Sequence, residues 1–71
     1  MKKAHKILLE DRIEYRLPNG DLHRLDGPAV EFHHGGKYWF SNGERHRLDG
    51  PAVECSNGNR FWYIAGKKCF E

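Results

Sequence analysis

Histidine and arginine stand side by side twice, as His23-Arg24 and His46-Arg47, and an aspartate follows each arginine two residues on, Asp26 and Asp49. Imidazole, guanidinium and carboxylate are the groups that bind phosphate, carry protons or hold metals. Both sets belong to one duplicated segment. His23-Arg24-Leu25-Asp26-Gly27-Pro28-Ala29-Val30-Glu31 recurs letter for letter as His46–Glu54, an offset of 23 residues, and residues 15–37 match 38–60 at 13 of 23 positions. A fixed period in the twenties marks units too small to bury their own apolar face, which therefore lie side by side. Duplication favours scaffold for Asp-Gly-Pro-Ala-Val, because both copies must solve the same backbone problem.

The elements that position these residues read as strands. The apolar content lies in Tyr, Trp, Phe, Val and Ile, which suit a pleated surface. Tyr15, Tyr38 and Phe61 fall 23 apart, as do Gly20, Gly43 and Gly66. Asn19-Gly20 and Asn42-Gly43 predict tight primed turns, and His34-Gly35-Gly36 and Asn57-Gly58-Asn59 close the other ends. Strands are expected near 13–17, 22–25, 28–33, 37–41, 45–48, 51–55, 60–64 and 67–70. At the N-terminus, Lys6-Ile7-Leu8-Leu9 precedes Ala29-Val30-Glu31-Phe32 by 23 residues. A strand of a degenerate unit is favoured there over a helical turn across Ala4–Asp11, because the period runs through it. The fold expected is all-β, a meander of antiparallel hairpins in one curved sheet. Residues 1–71 form one domain: 1–14 a cap, 15–37 and 38–60 the two units, and 61–71 a truncated third. Val30 and Val53 should share one row, Leu25 and Leu48 should fill beneath the corner, and Asp26 and Asp49 should bond backbone N–H groups two residues on.

The run Tyr38-Trp39-Phe40-Ser41-Asn42-Gly43-Glu44-Arg45-His46-Arg47-Leu48-Asp49-Gly50-Pro51-Ala52-Val53 resembles the MORN repeats, and more closely their MORN-like variant in bacterial and bacteriophage proteins. A weaker match spans Tyr15 to Val30, and a truncated one Phe61 to Glu71. The resemblance implies hairpin meanders and roles in protein–protein contact, sometimes lipid contact, and through them an action on a host macromolecule. Asp-Gly-Pro stands here where classical members carry Gly-x-Gly.

Composition narrows the function further. A chain of 71 residues buries only about 60% of its unfolded surface. A formal charge of +2 does not by itself declare a nucleic-acid partner. No apolar run approaches a membrane span, no signal-like segment is visible, and Cys55 and Cys69 are expected as reduced thiols of a cytoplasmic protein. Cys-x-x-Cys and His-x-x-x-His spacings are absent, so no metal or cofactor is expected, and no nucleophile elbow or phosphate loop points to an enzyme. The expected function is binding. Each arginine of the His-Arg pairs either pairs with an acid such as Glu31 or Glu54, or lies on an aromatic ring, or joins a cationic row for phosphate. Trp39 and Trp62 are either core or partner anchors, with Arg16, Arg24, Lys37, Arg47 and Arg60 as the surrounding cations. A protein partner comes first. RNA, read by the same rings and cations, is the alternative, and pairing of exposed strands into a homodimer is a third possibility.

Overall fold

The computed structural model describes residues 3–69; Met1, Lys2, Phe70 and Glu71 lie outside it, and with them the end of the strand expected over 67–70. All regular structure among the described residues is strand: β1 (His5–Leu8), β2 (Arg12–Arg16), β3 (Val30–Phe32), β4 (Lys37–Tyr38), β5 (Phe40–Ser41), β6 (Glu44–Arg45), β7 (Val53–Glu54), β8 (Arg60–Phe61), β9 (Tyr63–Ile64) and β10 (Lys67–Lys68). The meander is antiparallel throughout. Residues 5–8 are strand rather than helix, paired with β2 through Ile7 opposite Glu14.

The ladder is not continuous. Six strands form one sheet in the order β1-β2-β3-β4-β7-β8, while β5–β6 and β9–β10 are separate hairpins. The chain changes partners at Trp39, whose N–H donates to the Ala52 carbonyl while its own carbonyl accepts from His46 N–H. The return strand expected over 22–25 shrinks to one bridge between Arg16 and Leu22.

Hydrogen bonding also shifts the alignment of the units by one residue. His23 N–H donates to the carbonyl of Tyr15, His46 N–H to that of Trp39, and Cys69 N–H to that of Trp62. Tyr15 therefore corresponds to Trp39 and Trp62, not to Tyr38 and Phe61. The extra residue sits in the first turn. A two-residue turn at Asn19-Gly20 would require an N–H at position 18, and Pro18 has none. The loop widens instead: Leu17 N–H donates to the Asp21 carbonyl and Gly20 N–H to the Leu17 carbonyl, with Gly20 at φ 95°. The primed turn is realised at Asn42-Gly43 (φ 51° and 83°) and again at Ala65-Gly66 (φ 49° and 82°), where an alanine accepts left-handed backbone.

With this register, Glu14, Val30, Tyr38, Val53 and Phe61 form one cross-strand row. Val alternates with an aromatic ring, a pairing that stabilises sheets. Val30 and Val53 are buried with Leu17, Ala29 and Ala52. Glu14 occupies the ring position of the first unit and is only 7% exposed. Its two oxygens accept from Arg12 Nε at 2.7 Å and Arg16 Nε at 2.8 Å. Hydrogen bonds from Arg16 and then Arg12 hold its carboxyl below the ordinary value of 4.5, against the opposing effect of burial.

The units are latched to each other by backbone and histidine. His23 Nδ1 accepts the Asn42 N–H at 2.9 Å, the Leu22 carbonyl accepts from Gly43 N–H, and Arg24 N–H donates to the Phe40 carbonyl. One unit on, His46 Nδ1 accepts the Ala65 N–H at 2.9 Å, the Arg45 carbonyl accepts from Gly66 N–H, and Arg47 N–H donates to the Tyr63 carbonyl. Each return segment thus ties down the turn of the next hairpin. Overall extents of 34 × 28 × 16 Å make this a slab one layer thick.

Two outcomes follow from this fold. Because the folded-state pKa of Glu14 is depressed, its contribution is present above the ordinary glutamate value and is lost as pH falls through the folded value. Glu14→Gln should lower neutral-pH stability by about 2 kcal/mol and flatten the acid limb of a urea-melt series between pH 7 and pH 3. His23→Phe should strand the Asn42 N–H and cost roughly 1–2 kcal/mol, and His46→Phe less, since His23 is more buried; thermal melts at pH 7.5 compare the two.

Candidate functional site

Each arginine of the duplicated segment is held by its own corner. The Arg24 guanidinium carbon lies 4.1 Å above the centre of the Tyr15 ring. Its Nε donates to Asp26 Oδ1 at 3.0 Å and its Nη1 to the Pro28 carbonyl at 3.2 Å. Arg47 lies 3.8 Å above the Trp39 ring, its Nε donates to Asp49 Oδ1 at 3.1 Å, and its Nη1 donates to the Pro51 carbonyl at 3.0 Å and to Glu54 Oε2 at 3.3 Å. A planar guanidinium suits this position, because its face stacks while its edge donates. The glycine completes the clasp. A Cβ at Gly27 or Gly50 would stand 2.9 Å from the guanidinium carbon. Arg-Leu-Asp-Gly-Pro is thus one clasp: ring below, carboxylate and proline carbonyl at the edge, glycine leaving room.

Two expectations about these residues are corrected. Asp26 and Asp49 accept from the arginine two residues back rather than from backbone N–H groups two residues on. Leu25 and Leu48 do not fill beneath the corner; they are 84% and 80% exposed. With Arg and Asp drawn together beside it, the residue between them is turned outward. Paired as they are, the aspartates still remain 87% and 88% exposed, whereas Arg24 and Arg47 are only 24% and 22% exposed.

Between the two corners runs an open groove of about 740 Å³, walled by Leu25 and Asp26 on one side and Leu48 and Asp49 on the other, with Trp39 among its lining residues. A smaller groove of about 450 Å³ repeats the arrangement one unit earlier, with Tyr15, Leu25 and Asp26 in its lining and Lys3 at its edge. Of the sequence candidates, Trp39, Arg24 and Arg47 come together here. Trp62 is half-buried one unit further on, and position 70, where a third Arg would stand on its ring, is Phe70, outside the described residues. Arg16 is engaged with Glu14 and the Gly20 carbonyl, on the strand face opposite Tyr15. Lys37 stands opposite Glu31 and Glu54 in the register, and Arg60 opposite Glu54. The seven candidates therefore do not form one cationic face. Leu25, Leu48, Asp26 and Asp49 were not among the site candidates, and the signal that could have found them is the leucine itself, placed inside a polar Arg-Leu-Asp-Gly turn. Cys55 and Cys69 are unbridged, and no group of three metal-ligand side chains gathers among the described residues.

The clasp predicts non-additivity. Gly50→Ala and Arg47→Met should each destabilise, by roughly 1–2 kcal/mol. Combined, they should cost less than their sum by on the order of 1 kcal/mol, because the methyl group clashes only with a guanidinium that is present; a double-mutant cycle in urea reads the coupling.

Comparison with family models, with curated proteins and with solved structures gives no match to this chain.

Proposed function

We propose that this chain is a small, non-enzymatic binding module that grips a protein partner through the corner groove, with Leu25 and Leu48 as its pegs and Trp39 beneath them. The single observation that carries the reading is the pair of outward leucines at equivalent positions. An isolated exposed leucine is unremarkable on a protein surface. Two of them, both at least 80% exposed and flanking an aromatic-lined groove, form a contact surface awaiting an apolar counterpart. Kinship with the MORN-like repeats of bacterial and bacteriophage proteins, and action on a host macromolecule in the cytoplasm, belong to the same proposal. No helix among the described residues is long and apolar enough to cross a membrane.

RNA recognition draws less support. A phosphate-binding row needs free guanidinium edges. Here Nε and Nη1 of Arg24 and Arg47 already donate to Asp26, Asp49 and the proline carbonyls, and the more exposed charges at the groove are carboxylates.

The test is quantitative capture from bacterial lysate with the full chain, with and without RNase. Leu25→Ser with Leu48→Ser should leave the melting curve unchanged, since both side chains are exposed. It should release a protein species retained by the original chain, with at least tenfold weaker binding if the leucines are hot spots. Capture that RNase abolishes, or that survives both leucine changes, would overturn this function.

A further inference from the structure

The charge around the groove specifies what kind of protein segment enters it. The Trp39 groove is bordered by Asp26 on one wall and Asp49 on the other, each 87–88% exposed and each with one of its two oxygens bonded to an arginine Nε. The arginines beneath are shielded by their rings and by the corner itself. At its rim a partner therefore meets exposed carboxylate and leucine on either wall, while Arg24, Arg47 and His46 line the groove with Trp39, each arginine paired to its own aspartate and less exposed than it.

We infer that the occupant is a basic, extended protein segment that crosses the groove with one apolar side chain down and a cation on either side. This rests on the protein-binding reading above and adds the chemistry of the partner. The spacing is set by the fold. The corner 24–28 leads into β3 and the corner 47–51 into β7, and β4 lies between those strands. Two strand spacings are roughly 9–10 Å. An extended chain covers that distance in about three residues. Side chains of an extended chain alternate in direction, so one face is presented by i, i+2 and i+4. The matching segment thus carries Lys or Arg at i and i+4, their side chains leaning in toward the two walls, with the apolar residue at i+2 between Leu25 and Leu48. Each cation pairs with the outer oxygen of one aspartate, so the clasps stay closed. Apolar contact supplies affinity, and the two carboxylates select against acidic or phosphorylated segments.

The probes are synthetic peptides with Arg-Ala-Leu-Ala-Arg at the centre, compared with Glu-Ala-Leu-Ala-Glu, Arg-Ala-Ser-Ala-Arg and Gln-Ala-Leu-Ala-Gln versions. Binding is read as amide and indole chemical-shift changes of the intact labelled chain. The arginine peptide should shift Leu25, Asp26, Trp39, Leu48 and Asp49 in a saturable way, and the glutamate peptide should not. Asp26→Asn with Asp49→Asn keeps an acceptor for each arginine Nε. It should weaken the arginine peptide by roughly three- to tenfold while the chain stays folded with only a small drop in melting temperature, since the exposed pairs lose charge but keep their hydrogen bonds. Equal binding of the glutamine peptide, or no effect of the asparagine pair, would overturn the basic-segment inference while leaving the groove as a protein site. Absence of saturable shifts with every peptide would also overturn it, and the lysate capture then decides the protein-binding reading independently. Displacement of the bound arginine peptide by a single-stranded oligonucleotide at the same residues would overturn both.

Discussion

A guanidinium lying on an aromatic ring, with its edge bonded to the Asp two residues on and the Pro carbonyl four residues on, is the interaction on which the rest of this molecule turns. It fixes the path of the chain from the return strand into the next core strand, and it does so twice. Its parts are contiguous in sequence apart from the ring, so most of the clasp can form locally. The ring comes from the preceding strand, and through it the local turn is tied to the sheet. Cation–ring contacts of this kind contribute on the order of 1 kcal/mol each, and the charge-assisted bonds add to that. The ring and the carboxylate also engage the two arginines of the duplicated segment, which by sequence alone read as candidate free cations.

A slab 16 Å thick has little interior, and among the described residues no large side chain is fully buried. Its order comes from directional bonds as much as from apolar area. Val alternates with Tyr and Phe along one row, and where the first unit lacks a ring, Glu14 is accepted because two arginines neutralise it. A buried carboxylate without such partners would be too costly to keep. Histidine does a second job. By accepting a backbone N–H of the next turn, His23 and His46 convert a side chain into a stand-in for a strand carbonyl, just where the six-stranded ladder has ended.

Much of this was legible. The period of 23 predicted equivalent strands, and Ile7, Val30 and Val53 hold equivalent places opposite Glu14, Tyr38 and Phe61. Asn42-Gly43 announced its turn by composition, since few residue pairs tolerate two positive φ values. Ala65-Gly66 did not, because alanine is an unfavourable residue there and the turn is held by its short ladder together with His46 Nδ1 and the Arg45 carbonyl. Counting residues misaligned Tyr15 with Tyr38, because a proline lacking an N–H lengthened one loop by a residue without changing its apparent Asn-Gly signature. Of the candidate site, Trp39 and the two arginines were visible as residue types, but their arrangement was not. The guanidinium could equally have faced outward.

Sequence by itself determined the all-β class, the two equivalent corners and the turn at Asn42-Gly43, because periodicity and backbone sterics act over a few neighbouring residues. Tertiary structure alone decided which side of the corner meets solvent. Whether arginine or leucine points outward depends on whether an aromatic ring from another strand is placed to receive the guanidinium. That ring arrives through register across the sheet, a property of paired strands that no local run of residues contains.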